Sequence, residues 1–415
     1  MDLQLNTLTR YGIKNLNKHI TLDLIRFAEG GISRADLARQ MQLSRAAMTT
    51  IINDMLEREI VRESRSGESP SGRKPIMLEI NPQRGHVVGV DMGATHMELV
   101  LADFSARVKA IRHVDFDVRR GPQHGLAEVD QQVRVLLQEA GVALKDVHAA
   151  SIGVPGPVVI EEGTVKSPPI MPGWDSYPIR AHLEESWGCP VVINNDAELG
   201  ALGEWAFGAG RGERHLAFIK VGSGIGAGLL LNGQIYGGSV GAAGEIGHVT
   251  LVENGPRCTC GNYGCLEALA GGKAIAERAI TAVKAGQRTQ LSSIQPTERI
   301  TAKDVAVAAR LGDRLAQQIT ADAGRYLGIA LSSLVNLFNP GIVVVGGGVA
   351  QMGDLLLEPI RQAVEERSLQ AAANSVRIVA AMLGSRSSSM GAVVRALDTA
   401  LHCLTETELS INPRR

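Results

Sequence analysis

The sequence predicts an α/β protein with more than one domain, in which a small N-terminal unit precedes a larger two-lobed part. Residues 1–82 show helical and then extended periodicity, and glycine turns between apolar strands recur through the remainder. A histidine and several cysteines are grouped near the middle of the chain. The length of 415 residues exceeds what one core usually organises, because domains commonly have ~100–200 residues.

The composition is typical of a globular protein, with 45% hydrophobic and 20% charged residues. The formal net charge is −1, so a nucleic-acid contact would require a local basic patch. No apolar run approaches the ~20 residues that cross a bilayer, and the polar N-terminus has no apolar signal core. We therefore expect a cytoplasmic protein without a membrane partner.

Two short helices are predicted early in the chain, joined by a tight turn at Gln42 and Leu43. Ser33 and Ser44 stand where N-caps are expected, each directly before a helical pattern. Helical spacing of apolar residues follows at Ala47, Met48, Ile51, Ile52, Met55 and Leu56. This arrangement predicts a helix-turn-helix, whose second helix can enter a DNA major groove.

The exposed face of the second helix carries side chains suited to DNA, since arginine matches guanine and threonine matches polar base edges. Two strands, 60–63 and 76–80, then enclose a basic loop rich in glycine, serine and proline, which is typical of a wing. The alternative is a small unit that contacts protein instead of DNA. The candidate DNA-binding residues are Ser44, Arg45, Ala46, Thr49, Thr50, Arg65, Arg73 and Lys74.

Three glycine turns follow apolar strands in the larger part of the chain. Glycine permits close backbone approach, a hydroxyl can meet a phosphate, and a carboxylate can hold a metal ion. Each turn alone could be a plain tight turn, but their order on alternating strands favours a split nucleotide cradle. The candidate phosphate-binding residues are Asp91, Gly93, Thr95, Gly222, Ser223, Gly224, Gly226 and Gly347.

Asn195 and Asp196 lie at the end of a predicted strand, where a helix begins. A carboxylate in this position is well placed to take a proton from a substrate hydroxyl. The alternative is that Asp196 caps the following helix, which is a common role for aspartate.

One histidine and three cysteines have the spacing H-x9-C-x-C-x4-C. This donor set suits a closed tetrahedral zinc site, and metal would replace a core in a loop with few apolar anchors. Zinc would hold the loop beside Glu245 and Glu267, whose carboxylates could accept hydrogen bonds from sugar hydroxyls. The alternative is a set of unrelated reduced cysteines. The four candidate ligands are His248, Cys258, Cys260 and Cys265.

With these motifs the chain resembles the ROK family of repressors and kinases, and within it the branch that includes the xylose and N-acetylglucosamine repressors. The most specific marks are GAAGEIGH followed by CTCGNYGCLE, with further likeness in IGVPGPV, NNDAELGALGE and IVVVGGGVAQMGDLLLEPI. The resemblance runs from about Ile20 to Leu401. It implies an actin-like ATPase fold of two lobes with a sugar in the cleft, a structural zinc, and a homodimer or dimer of dimers.

The resemblance also implies roles for individual residues. In the family's kinases the aspartate that matches Asp196 is the general base, and the glycine turns hold the phosphates of Mg-ATP. The kinases usually lack an N-terminal DNA-binding domain, so its presence here implies a sugar-responsive repressor that binds operator DNA. The implied sugar-binding residues are Gly156, Asn195, Asp196, Glu245, His248 and Glu267.

The chain departs from the kinase pattern at two places. The first phosphate turn reads DMGATH where kinases generally read D-x-G-G-T-K, so Ala94 adds a methyl group and His96 replaces a lysine. Pro169 stands where kinases usually have an asparagine, and it has no side-chain donor. An ATP-dependent sugar kinase with an extra N-terminal domain is the alternative function.

Three parts are expected along the chain. Residues 1–82 form the winged helix-turn-helix, and residues 83–195 form the first α/β lobe. Residues 196–385 form the second lobe with the zinc site, and a C-terminal helix at 386–405 completes the first lobe.

Overall fold

The computed structural model describes residues 16–28, 30–64 and 76–406. The N-terminal part combines three helices with a three-stranded antiparallel sheet in the order β1-β3-β2. Its elements are α1 (residues 16–26), β1 (Ile32–Ser33), α2 (Arg34–Gln40), α3 (Arg45–Glu57), β2 (Val61–Ser64) and β3 (Met77–Ile80).

Serine side chains start both α2 and α3. Ser33 accepts a hydrogen bond from the backbone N–H of Asp36 at 3.1 Å, and Ser44 accepts one from Ala47 at 3.2 Å. Both residues therefore are the N-caps that the sequence predicts, and each satisfies an otherwise unpaired amide of a first turn. Gln42, between the two helices, has a φ of 54°, and this left-handed residue makes the tight turn possible.

The inner faces of α2 and α3 pack on the small sheet. Leu37, Met48, Ile52 and Leu78 are completely buried there. The sequence pattern is wrong at Ala47, which is exposed, because this position lies just outside the stripe that faces the sheet. The two-residue strand β1 was not predicted, since Ile32 pairs with Leu78 far along the chain.

The first large sheet has the order β10-β7-β4-β5-β6. Strands β4, β5 and β6 are antiparallel neighbours, whereas β7 and β10 run parallel to β4. The elements of this region are β4 (His86–Met92), β5 (His96–Asp103), β6 (Val108–Asp115), α4 (Pro122–Ala140), β7 (Val147–Val154), β8 (Val158–Val159), β9 (Thr164–Val165), α5 (Ile179–Trp187) and β10 (Val191–Asn195).

The second large sheet has the order β13-β12-β11-β14-β15. It repeats the pattern of the first sheet, because three antiparallel strands are followed by two strands parallel to the first. Its elements are α6 (Asp196–Phe207), β11 (His215–Val221), β12 (Ile225–Leu231), β13 (Gln234–Ile235), α7 (Leu266–Ala270), α8 (Gly272–Lys284), α9 (Ala302–Arg310), α10 (Arg314–Phe338), β14 (Ile342–Gly346), α11 (Asp354–Arg367), α12 (Gln370–Ser375), β15 (Arg377–Ala380) and α13 (Ser387–Glu406).

The C-terminal helix α13 packs against α6 and against β4 and β7 of the first sheet. Two glycines allow α6 and α13 to cross with their backbones in contact. A Cβ atom on Gly203 would lie 2.1 Å from the carbonyl oxygen of Ser387, and one on Gly391 would lie 1.7 Å from that of Leu199. Any larger residue at either position would force the helices apart.

The predicted α/β class is thus confirmed. Across the described ranges, none of the helices combines the length and apolar character that a bilayer crossing requires.

Candidate ligand-binding cleft and metal cluster

A cleft of about 810 Å³, including the part open to solvent, lies between loops that follow strands of the two large sheets. The six sugar-binding candidates all line it: Gly156, Asn195, Asp196, Glu245, His248 and Glu267. Six of the phosphate-binding candidates also line it: Gly93, Thr95, Gly222, Ser223, Gly224 and Gly226.

The other two phosphate-binding candidates lie outside the lining of the cleft. Asp91, near the end of β4, is only 2% exposed and lies beneath the cleft floor. Gly347, after β14, packs against the end of β11, where a Cβ would lie 2.5 Å from the carbonyl oxygen of Val221. With a φ of 86°, Gly347 serves a tight turn.

Asn195 is the N-cap of α6. Its side-chain oxygen accepts hydrogen bonds from the amides of Ala197 at 2.8 Å and Glu198 at 3.3 Å. Its Nδ2 donates to the carbonyl oxygen of Gly156 at 3.0 Å, which joins two of the candidate residues directly. Because Asn195 does the capping, the carboxylate of Asp196 is left to line the cleft.

Lys220, near the end of β11, lines the cleft and is a candidate functional residue that was not predicted from the sequence. Its Nζ donates to Oδ1 and Oδ2 of Asp91, both at 3.1 Å, and to Oδ2 of Asp196 at 3.0 Å. A fourth contact reaches the hydroxyl of Ser388 at 3.2 Å. One signal was available, since Lys220 is a charged residue inside an apolar strand that leads into a glycine turn.

Burial opposes the charge of Lys220, but the carboxylates of Asp196 and Asp91 outweigh it and raise the pKa of the ammonium above its usual range. The pKa of Asp91 is raised, chiefly because its carboxyl is buried. Lys220 therefore carries a permanent positive charge into the floor of the cleft.

Two glutamates stand on the opposite wall. Glu267, in the first turn of α7, accepts hydrogen bonds from the amide of Ile225 at 3.1 Å and the hydroxyl of Thr259 at 2.9 Å. Burial raises the pKa of Glu245, whose Oε2 lies 3.8 Å from Nε2 of His248. Both side chains can offer carboxylate oxygens to hydroxyl groups of a ligand.

The histidine and the three cysteines of the predicted cluster come together beside this wall. One ligand atom from each of the four residues lies within 4.8 Å of all the others: His248, Cys258, Cys260 and Cys265. Nδ1 of His248 is 3.6 Å from Sγ of Cys258, and Sγ of Cys260 is 3.7 Å from Sγ of Cys265. Thiolates about 2.3 Å from a tetrahedral metal would be about 3.8 Å apart, so this cluster can hold a metal ion.

The exposed face of α3 presents the helical part of the predicted DNA-binding set. Five of its members are exposed: Ser44, Arg45, Ala46, Thr49 and Thr50. The hydroxyls of Thr49 and Thr50 donate to the carbonyl oxygens of Arg45 and Ala46, at 2.8 and 3.1 Å. The loop candidates Arg65, Arg73 and Lys74 lie outside the described residues.

A protein with two five-stranded sheets, a cleft lined by loops of both, and an N-terminal unit of three helices and a small sheet is the class that these elements define. Residues 87–399, which contain both sheets and the cleft, match the model of the ROK family. The chain is also 33% identical over 393 residues to a putative xylose repressor of Caldicellulosiruptor sp. (strain Rt8B.4), covering 94% of this chain and 97% of the relative. The chain belongs to the ROK family, and the resemblance predicted from the sequence is confirmed.

Two further likenesses are long enough to include part of the N-terminal unit. The DNA-binding transcriptional dual regulator NagC of Escherichia coli (strain K12) is 31% identical over 377 residues, covering 90% of this chain and 91% of NagC. The crystal structure of a ROK family transcriptional regulator, a homolog of the E. coli MLC protein, superposes with a TM-score of 0.82 at 27% identity. It covers 95% of this chain and 98% of its own.

Proposed function

We propose that this chain is a sugar-responsive transcriptional repressor, in which an N-terminal winged helix-turn-helix binds operator DNA and the cleft binds the sugar that controls it. The observation that carries the proposal is that one chain combines an exposed α3 face with a cleft that contains several carboxylates. Relatives named as repressors or regulators align with both parts at more than nine-tenths of their own length.

Each proposed function is assigned to one of the domains expected from the sequence. Residues 1–82 read DNA, and residues 83–195 with the helix at 386–405 form the first lobe. Residues 196–385 form the second lobe. In a homodimer, or a dimer of dimers, two copies of α3 would enter successive major grooves of a palindromic operator in the cytoplasm, about 34 Å apart.

The sugar would be held by hydroxyl-specific contacts. Asn195 is already fixed by Gly156, so its position is set before a ligand arrives. The carboxylates of Asp196, Glu245 and Glu267 offer acceptors, and such sites reject ligands that lack the matching hydroxyls. Pentoses, hexoses and N-acetylhexosamines all carry suitable hydroxyl arrays.

The cluster of His248 and the three cysteines would hold a structural zinc ion. The donor set, one imidazole and three thiolates, is typical of closed zinc sites. Zinc would restrict the conformation of the loop that leads into α7 and so fix the position of Glu267 in the cleft wall. If His248 binds through Nδ1, its Nε2 edge remains directed towards Glu245.

Helix α13 offers a route from the cleft to the DNA-binding unit. Its first turn contacts Lys220 through Ser388, in the cleft floor. Carbonyl oxygens of its later turns accept hydrogen bonds from the N-terminal unit. Nη2 of Arg26 in α1 donates to the carbonyl oxygen of Val394 at 2.9 Å, and Nη1 of Arg58 donates to that of Leu404 at 3.0 Å. A ligand that favours one lobe arrangement would shift operator affinity by ~1–3 kcal/mol, the usual coupling between sites.

The test begins with the zinc-replete full chain and an operator obtained by selection from genomic fragments. Operator affinity is then measured by fluorescence anisotropy with xylose, glucose and N-acetylglucosamine. One sugar is expected to change the affinity roughly 5- to 150-fold. Asp196→Asn should bind the operator normally but lose the response, and Glu277→Gln, on an exposed face of α8, should keep it. An operator affinity that no sugar alters would refute the proposal.

The alternative, an ATP-dependent sugar kinase, has the position of Asp196 and the second glycine turn in its favour. It leaves the N-terminal unit without a role. A coupled ADP-release assay with the same sugars separates the two functions, since a repressor should give no turnover that depends on Asp196.

A further inference from the structure

We propose that the ammonium group of Lys220 is a built-in cation that takes the place of a divalent metal ion between Asp91 and Asp196, so that the cleft holds its sugar without Mg-ATP and without phosphoryl transfer. The inference rests on the proposed sugar-binding role of the cleft and adds to it the reason why binding is not followed by chemistry.

The geometry around Nζ is that of a filled cation site. Four oxygen atoms lie 3.0–3.2 Å from it, and they belong to Asp91, Asp196 and Ser388. An ammonium group has three N–H donors, and three separate groups receive them. Carboxylate and hydroxyl oxygens are also the ligands that Mg²⁺ prefers, so the ammonium occupies the volume that the metal would need.

The charges of Asp91, Asp196 and Lys220 also support a filled cation site. The side chains of Asp91, Asp196 and Lys220 are only 3%, 15% and 17% exposed, so little water screens them. Two carboxylates without the ammonium would form a doubly negative pair that attracts a divalent cation. With the ammonium in place the cluster has a net charge of −1, and an entering metal ion would meet a fixed positive charge.

The first glycine turn provides no replacement charge for phosphate. Burial lowers the pKa of His96, which favours the neutral imidazole. Ala94 lines the cleft with a methyl group. The turn itself therefore carries no charged side chain for a nucleotide phosphate, and the lysines that act electrostatically on His96 are Lys220 and the exposed Lys303, both on other elements.

The second glycine turn has amide groups already engaged within the protein. The N–H of Ile225 donates to the carboxylate of Glu267, and the N–H of Gly222 donates to the carbonyl oxygen of Gly224 at 2.9 Å. A Cβ on Gly224 would lie 2.4 Å from that same carboxylate. The carboxylate of Glu267 therefore lies directly against this turn and joins it to the first turn of α7.

The proposal is tested with Mn²⁺ as the probe, detected by electron paramagnetic resonance on the zinc-replete full chain. The wild-type protein should bind Mn²⁺ weakly. Lys220→Ala, which frees the carboxylate pair, should gain one site with an affinity roughly 10- to 1,000-fold higher, as expected for removing a unit charge at this distance. Lys220→Gln, which keeps the length and polarity of the side chain, should gain the same site if alanine compromises folding.

Two controls make the assignment specific. Lys273→Ala removes a lysine from an exposed ion pair on α8 and should leave Mn²⁺ binding unchanged. Asp91→Asn added to Lys220→Ala should abolish the new site. Tight Mn²⁺ binding by the wild-type protein, or no gain in either Lys220 variant, would overturn the inference. The readout involves neither sugar nor DNA, so its failure is distinct from an operator affinity that fails to respond to sugar.

Discussion

Glu204 shows how one buried side chain can join distant parts of this molecule. Its carboxylate is completely buried in α6 and accepts hydrogen bonds from the amides of Met382, Leu383 and Ala209, at 2.9–3.1 Å. The hydroxyl of Ser387 donates a fourth, at 2.7 Å. The carboxylate therefore fixes the start of α13 to α6.

Glu204→Gln should destabilise the protein by ~1–3 kcal/mol, because an amide nitrogen would face donors where a carboxylate oxygen now accepts. Urea unfolding of the full chain measures the change. The matched control is Glu277→Gln on the surface of α8, where a shift within about 0.5 kcal/mol is expected. Equal free energies of unfolding for the two variants would show that the four hydrogen bonds contribute little.

Individual site residues differed in how far the sequence could reveal them. Asn195 and Asp196 were predictable, because a strand end followed by a helix start is a local pattern. For Lys220 the sequence offered only its unusual place in an apolar strand and not its partners, which lie 129, 24 and 168 residues away in the chain. A functional role that depends on a long-range ion cluster cannot be read from neighbouring residues alone.

At the scale of elements, the loop from His248 to α7 has few buried side chains. Its residues are held by isolated backbone contacts, such as the pairing of Thr250 with Cys265 and of Arg257 with Tyr263. The regular elements were better predicted, because the caps and the apolar stripe of α3 are set by local sequence. The short strand β1 depends on a distant partner and was missed.

Cys265→Ser should remove most of the zinc that we expect in the purified protein, because a hydroxyl is a poor ligand for this metal and Cys265 is completely buried. Metal content by mass spectrometry and sugar binding by calorimetry should fall together, since the loop positions Glu267. Cys403→Ser, on α13, is the control and should retain both. Full sugar binding by zinc-free protein would separate the cluster from the cleft.

At the scale of the whole molecule, α1 and α13 form the junction between the N-terminal unit and the two large sheets. The rings of His19 and His402 stack with their centroids 4.0 Å apart, and Nε2 of His19 lies 3.0 Å from the hydroxyl oxygen of Thr405. Burial, with the neighbouring charge of His402, lowers the pKa of His19 to about 4, while Asp398 opposes the shift and Lys18 adds to it.

The junction should weaken in acid. The folded protein favours neutral His19, so its contribution is complete above pH 6.5 and is lost as the pH falls towards 4, by up to about 3 kcal/mol. Chemical denaturation across this range should show a steeper loss for the wild-type protein than for His19→Gln. His182→Gln, an exposed position on α5, should follow the wild type. Parallel curves for the wild-type protein and His19→Gln would contradict the prediction.

The backbone contact between α6 and α13 has a mechanical consequence. With glycine at positions 203 and 391, the two backbones touch and no side chain separates the helices at this crossing. We therefore expect the two helices to move together, and the pair reaches from Asp196 in the cleft to the side of α1. Substitutions at either end could change which ligand or which DNA sequence is recognised. A single methyl group added at Gly203 or Gly391 would instead force the two helices apart.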